Sequence, residues 1–278
     1  MSRQKAKDPL FKILRYVAMI ILCVIVIIPF YVLLFVAFNA PSRPLSMGVF
    51  SMPVFALDNI AQAWSRSNLG QAMINSAYIT VVASLIVVVL GATAGYAFAR
   101  FPNRFNRFWF NLFLMCMMIP GIINTVPMYS IMQKINGNNN LFTVAVLLGA
   151  LRLPFCIFLY TSFIQSTGRD VEEAAVIDGC NPFTAFWRIT IHILKPITAT
   201  VIITSSVGFW NNYSQVVFFL TKNERQTIPL AMRYFFGEFS AEWNLVAAAA
   251  LIGVIPVVVM FLSLQKYFIK GLASGAIK

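Results

Sequence analysis

Six long apolar runs divide the chain, at about residues 14–38, 75–99, 108–132, 141–165, 197–220 and 245–265. A helix needs about 20 predominantly apolar residues to cross a hydrocarbon core, so each run is long enough to span one. The fourth run contains Arg152 and Pro154, but its flanks and length still favour a span. Inside a bilayer every backbone N–H and C=O must be satisfied without water, and a helix does this within its own segment. Of the 278 residues, 59% are hydrophobic and 11% charged, against about a half and a quarter in soluble domains. The expectation is an all-α integral membrane protein with six transmembrane helices, residues 1–278 forming a single membrane domain.

The formal net charge of +12 would suit nucleic acid only with a contiguous basic patch or a known nucleic-acid fold. Instead the cations lie in short clusters between apolar runs. With the N-terminus inside, the inner segments hold Arg3, Lys5, Lys7, Lys12, Arg15, Arg100, Arg104, Arg107, Arg169, Arg188, Lys195, Lys266, Lys270 and Lys278. The outer ones hold Arg43, Arg66, Lys134, Lys222, Arg225 and Arg233, and Arg152 lies within a run. The bias of 14 to 6 among the 21 places both termini in the cytoplasm. The basic N-terminus resembles a signal peptide, but the run Tyr16–Ala40 is too long for one and lacks an A-x-A site, so it reads as the first membrane helix. Cys23, Cys116, Cys156 and Cys180 show no paired spacing, which suggests reduced thiols and neither a disulfide frame nor a metal site.

Between the fourth and fifth runs lies a polar stretch, Glu172-Glu173-Ala174-Ala175-Val176-Ile177-Asp178-Gly179-Cys180-Asn181-Pro182-Phe183. Its local chemistry predicts helix, turn, helix. Asp170 can cap a first short helix and Gly179 can end it in the left-handed conformation. Asn181 is an N-cap for a second helix with Pro182 at its first position. Phe183, Phe186, Trp187 and Ile191 then form an i, i+3, i+4, i+8 apolar stripe, suited to a partner's groove or a membrane surface. An ordinary loop helix is the bland alternative.

The run Glu173-Ala174-Ala175, three residues, Gly179, nine residues and Ile189 resembles the EAA loop of the membrane subunits of ABC importers. With Asp178-Gly179 and Lys195-Pro196 it is similar to the oligosaccharide branch of the maltose-permease type. Further likeness runs through Asn75-Ser76, Tyr96-Ala97, Arg100, Ile119-Pro120-Gly121 and Pro127-x-Tyr129, and on to Gln265-Lys266-Tyr267-Phe268, Lys270-Gly271 and Gly275, covering roughly residues 70–278. The resemblance implies type I ABC importer architecture, with two cytoplasmic coupling helices lodged in a cleft of an ATPase. It also implies a multi-pass subunit of a bacterial cytoplasmic membrane, a second homologous permease subunit, two ATP-binding subunits and an extracytoplasmic sugar-binding protein. Glu172, Glu173, Ala174, Ala175, Asp178, Gly179, Phe183 and Phe186 would carry the coupling. One departure is His192, the only histidine, where the family usually has proline; it keeps a backbone donor, so the second short helix should run on toward Lys195-Pro196.

Other features are structural on their face. The stretch Asn39–Ser67, with Pro41, Pro44, Pro53 and Trp64, is either a solvated connector or a surface for an external partner. Gly91 and Gly95, four apart on the second run, predict close helix packing. Pro120-Gly121 and Pro127 should interrupt the third run and face protein or water rather than lipid.

No catalytic set is present. One histidine makes no HExxH site, no phosphate loop of the G-x-x-x-x-G-K-[ST] type exists, and the chain is expected to be a non-enzyme with no cofactor, ATP-Mg being bound by partner subunits. On the fifth run Trp210, Asn211, Asn212 and Tyr213, with Gln215 nearby, combine amides, hydroxyl and aromatic faces, as a sugar path would; interhelical polar glue is the alternative. Arg152 lies deep in the fourth run, where an arginine costs about 2.5–3.5 kcal/mol on insertion scales. It should contact either the sugar path or carbonyls freed near Pro154. The expected function is the permease subunit of an ATP-driven carbohydrate importer, forming half of the pore. A permease for a non-sugar solute is the first alternative. A secondary transporter is disfavoured, because none of the nine acidic residues lies in a span.

Overall fold

The computed structural model describes residues 9–40, 56–237 and 241–276; the side chains of residues 9, 10, 182 and 267–276 lie outside the described set. Arg3, Lys5, Lys7, Lys278, Arg43 and the prolines at 41, 44 and 53 also lie outside it, as do the side chains of the closing motif from Tyr267 onward.

Among the described residues the elements are helical, apart from one isolated bridge pairing Phe236 with Ala241. The helices are α1 Pro9–Phe38, α2 Asp58–Arg66, α3 Leu69–Arg100, α4 Arg104–Met117, α5 Thr125–Lys134, α6 Leu141–Ser166, α7 Asp170–Ile177, α8 Pro182–Ala185, α9 Lys195–Trp210, α10 Val216–Phe219, α11 Ile228–Ala231 and α12 Trp243–Ala276. Among the described residues four are long and apolar enough to cross a membrane, namely α1, α3, α6 and α12 in their apolar portions, and the bent pair Phe183–Ile193 and Lys195–Trp210 makes five if it is one span. The fourth run is thus a continuous helix through Pro154.

The third run departs from expectation. It is two helices of 14 and 10 residues with a break over 118–124. Pro120 cannot donate a backbone bond and its ring crowds the preceding turn, so the helix stops there. Pro127, in contrast, interrupts nothing. It stands in the first turn of α5, where the missing N–H would lack a partner in any case. The fifth run is also broken, since α9 ends at Trp210 after 16 residues and helix resumes only at Val216.

The chain forms two compact units. One comprises residues 1–69 and 232–254. In it Arg66 makes a bidentate pair with Glu242, 2.7 and 2.8 Å long, with the guanidinium over the Tyr234 and Phe235 rings. The hydrogen bonds from Arg66 hold the Glu242 carboxyl below the usual carboxylate range, and the same bond pushes the Arg66 value up. Asn59 donates to the carbonyls of Ala37 and Asn39, and Asn244 to that of Asn39, tying α2 and the start of α12 to the end of α1.

The other unit comprises residues 70–231 and 255–278. Its core is a ridge of α3 at four-residue spacing, Ile79, Ala83, Val87, Gly91 and Gly95, set against α6 and α9. The first three residues of the ridge are at most 1% exposed. A Cβ built on Gly95 would lie 2.6 Å from Tyr160 Cβ and 3.1 Å from the Thr161 nitrogen, so α3 and α6 are in backbone contact there. Lipid gives no hydrophobic drive between helices, and small residues of this kind supply van der Waals packing instead. Polar pairs add to it. Ser84 and Ser206 hydroxyls are 2.9 Å apart, Cys156 and Ser205 3.5 Å, and Tyr160 donates to Thr198 Oγ1 at 3.1 Å. Such pairs contribute about 0.6 kcal/mol each in membranes.

Candidate coupling loop and translocation path

The loop after α6 folds from the local signals in its sequence. α7 ends in a Schellman motif: Gly179 has φ +86°, its N–H donates to the Val176 carbonyl at 3.0 Å, and the Cys180 N–H reaches the Ala175 carbonyl at 2.9 Å. Asn181 caps α8, its Oδ1 accepting from the Thr184 N–H at 2.8 Å. Asp170 does not cap. It is the first residue of α7, and Arg169 occupies the cap position without a side-chain bond. There a carboxylate acts only through the helix dipole.

After Ala185 the second helix widens into a π-helical turn over Phe186–Thr190 and closes with Ile191–Ile193. The wider turn breaks the expected stripe, placing Phe183 73% exposed while Phe186 is buried with its ring 4.9 Å from that of Tyr96. As expected, the helix runs through His192, but only to Ile193. At Leu194 the axis bends by 71° into α9, because Pro196 cannot donate to the His192 carbonyl.

The loop residues therefore divide into two faces. Glu173, Ala174, Asp178, Gly179 and Phe183 are exposed, alongside Val176 and Ile177, the latter 86% exposed. Ala175 and Phe186 are buried. Glu172 turns inward too: Arg100 Nε donates to its Oε2 at 2.8 Å and Arg100 Nη2 to its Oε1 at 3.1 Å, with side-chain exposures of 7% and 12%. Arg100 also donates to the carbonyls of Thr167 and Gly168, and the Thr190 hydroxyl to Glu172 Oε1 at 3.3 Å. One ion pair thus joins the end of α3, the exit of α6, α7 and the second short helix. Neither Thr190 nor the inward course of Glu172 has a local sequence signal.

Two helix breaks form the other candidate site. Asn211 is the C-cap of α9 rather than a mid-helix residue, and Asn212 and Gln215 lie beyond the end of that helix. Their amides hold the break instead: Asn212 Nδ2 donates to Gln215 Oε1 at 2.9 Å, and the Gln215 N–H to Asn212 Oδ1 at 3.2 Å. Asparagine competes with the helix for its own backbone groups, which explains why it ends here. Gln215 also lies against the other break, its Nε2 3.4 Å from the position of a Cβ on Gly121. Asn211 and Tyr213 are exposed, Asn212 and Gln215 half-buried, and Trp210 is buried. Nearby Ser205 and Ser206 make contacts between helices.

Among the described residues Arg152 makes no hydrogen bond to a freed carbonyl. It is half-buried, its guanidinium is 4.3 Å from the centre of the Phe155 ring, and its buried Nε has no hydrogen-bond partner among the described residues. At the end of α3 away from Arg100, Asn75 donates to the carbonyls of Glu224 and Gln226, and Ser76 Oγ accepts from the Ile228 N–H. Asn139 Oδ1 likewise accepts from the N–H groups of Thr221 and Lys222. These clips fix the chain that follows the fifth run.

The profile of the family described as binding-protein-dependent transport system inner membrane component matches residues 87–274, taking in the loop and both breaks. The chain belongs to that family. This permease is 39% identical over 98% of its length to the melibiose/raffinose/stachyose import permease protein MelC of Bacillus subtilis, covering 99% of that protein. It is 29% identical to the probable starch degradation products transport permease AmyC of Thermoanaerobacterium thermosulfurigenes, over 93% of this chain and 94% of that one. The fold also matches a chain of a bacterial ABC transporter involved in the import of the polysaccharide alginate, with a TM-score of 0.80 over 96% of this permease and 99% of that chain, at 20% identity.

Proposed function

We propose that this chain is the permease subunit of an ATP-driven carbohydrate importer in a bacterial cytoplasmic membrane, moving an oligosaccharide of the class named for MelC. The observation that carries the reading is the side-by-side placement of the Pro120-Gly121 and Asn211–Gln215 breaks. Non-helical backbone at membrane depth is tolerated only where it is buried in protein or lines water. Much of the first break is exposed in the single chain, with Met118 at 82% and Ile122 at 67%. A second, homologous permease subunit would cover that face and complete the pore. Two ATP-binding subunits would seat on the exposed Ile177 and Phe183 side of the loop, and an external binding protein would deliver the sugar. Both termini would be cytoplasmic, and the chain itself non-catalytic.

The test is cysteine access in cells that carry the complete importer. Single cysteines at 211, 213 and 215 should react with a small water-soluble thiol reagent, and transported raffinose should protect at least one of them. No reaction at any position, in every nucleotide state, would place the path elsewhere. Losing one hydrogen bond to a sugar costs about 0.5–1.5 kcal/mol, so Asn211→Ala alone should weaken uptake by about twofold to twelvefold.

A second measurement addresses the loop. Gly179 has open space around its missing Cβ, so a side chain there meets backbone strain and no clash. Holding a non-glycine residue at positive φ costs on the order of 1–3 kcal/mol. Gly179→Val should insert normally, misplace α8 against the ATPase, and uncouple ATP hydrolysis from uptake. Normal coupled uptake in this variant would remove the loop from the mechanism.

A further inference from the structure

The 71° bend at Leu194 opens a gap between α3, the second short helix and the start of α9. The resulting cavity is about 540 Å³, within the range of about 300–1,000 Å³ for small-molecule sites. Its walls are mainly apolar, formed by Val88, Val89 and Ala92 of α3, Ala199 and Ile202 of α9, and Leu264 of α12, with Thr93 and Thr198 among them. One end differs. There Trp187, His192 and Lys195 line the cavity, Lys195 being the first residue of α9. All three are exposed, and neither Lys195 nor His192 has an acidic partner, the ion pairs among the described residues being Arg66–Glu242 and Arg100–Glu172.

A mainly apolar slot of this volume suits an acyl chain and offers a sugar few hydrogen bonds. A cation beside an indole, where a helix leaves the hydrocarbon, suits the headgroup level, at which tryptophan concentrates and lysine meets lipid phosphate. We propose that this cavity binds an anionic phospholipid, with an acyl chain along Val88, Ala92, Ala199 and Ile202 and the phosphate held by Lys195 and His192. Phe186 and Trp187 belong both to the cavity wall and to the loop helix. A bound lipid would therefore brace the bend through which loop movement reaches α9. The site goes beyond the transport reading, and rests on it only for the leaflet in which the lipid resides.

The test uses the full chain in phosphatidylcholine nanodiscs, with a minor fraction of either phosphatidylglycerol or phosphatidylcholine brominated on its acyl chain. Bromine quenches tryptophan at contact, and a Trp187→Phe variant supplies the background from the other four of the five tryptophans. Trp187 should be quenched by phosphatidylglycerol with about fivefold the apparent affinity seen for phosphatidylcholine, the selectivity that one lysine near an anionic surface supplies. Lys195→Ala should abolish the preference, His192→Ala should reduce it, and Lys195→Arg should keep it, which separates charge from folding. Excess inorganic phosphate should not displace the brominated lipid. Equal quenching by the two lipids, no quenching of Trp187 by either, a preference that survives Lys195→Ala, or displacement by phosphate would each overturn the assignment. The measurement reads no sugar, so its failure leaves the transport reading untouched, and failure of sugar protection at 211–215 leaves this one untouched.

Discussion

Replacing Arg100 by alanine will disconnect the loop from the membrane helices. The Glu172 carboxylate, 12% exposed, would then lose its bidentate partner while still out of bulk water. Removing one partner of a buried pair typically costs about 3–5 kcal/mol, because the remaining charge stays uncompensated. The same change frees the carbonyls of Thr167 and Gly168, which Arg100 also holds. The protein should still insert, since its spans are intact. α7 and the second short helix should become open to protease, and sugar uptake should fall to background while ATP hydrolysis by the complex continues. Glu172→Ala should act in the same direction. Arg100→Leu with Glu172→Leu, which leaves no orphaned charge, should recover much of the protease resistance. Normal uptake and normal protease resistance in the single variants would show that the pair is incidental.

Gly95→Ala should destabilise the fold more than alanine at Gly91 of α3 or Gly149 of α6. Its new methyl would meet Tyr160 Cβ at 2.6 Å and backbone at 3.1 and 3.3 Å. No side chain can swing away from that contact, so α3 and α6 must separate. Overpacking of this kind costs about 1–3 kcal/mol, and a larger residue such as leucine should prevent folding. Gly91→Ala faces a ring carbon at 3.2 Å, which can give slightly, and should cost less. Gly208→Ala meets nothing within 4 Å and should be neutral. Thermal unfolding in detergent should rank the three variants in that order. Equal midpoints for Gly95→Ala and Gly208→Ala would mean that the ridge does not set the helix separation.

Features that depend on a few consecutive residues were legible in the chain. The apolar runs mark where helices lie, because a bilayer allows little else. Gly179 and Asn181 mark the turn between α7 and α8, because their chemistry acts on backbone groups within five residues. Gly91 and Gly95 mark a close contact, and the helix that provides it proved to be α6. Local reading also had limits within its own range. Pro127 looks like a breaker until its place in a first turn is known, and Asn211 looks like a helix residue until its neighbours are seen to bond with one another.

The sequence by itself determined the membrane class, the positions of most helices and the turn that makes the loop, since each follows from solvent and from neighbours along the chain. Only the tertiary structure decided that Glu172 faces Arg100, 72 residues away, while Glu173 faces outward. It alone put Phe186 inside and Phe183 outside, through a π turn that no periodicity announces. It alone set Gln215 against Gly121, bringing two helix breaks side by side. The reason is physical: a side chain's partner across the fold depends on how helices pack, and packing is settled by contacts among residues far apart in the chain.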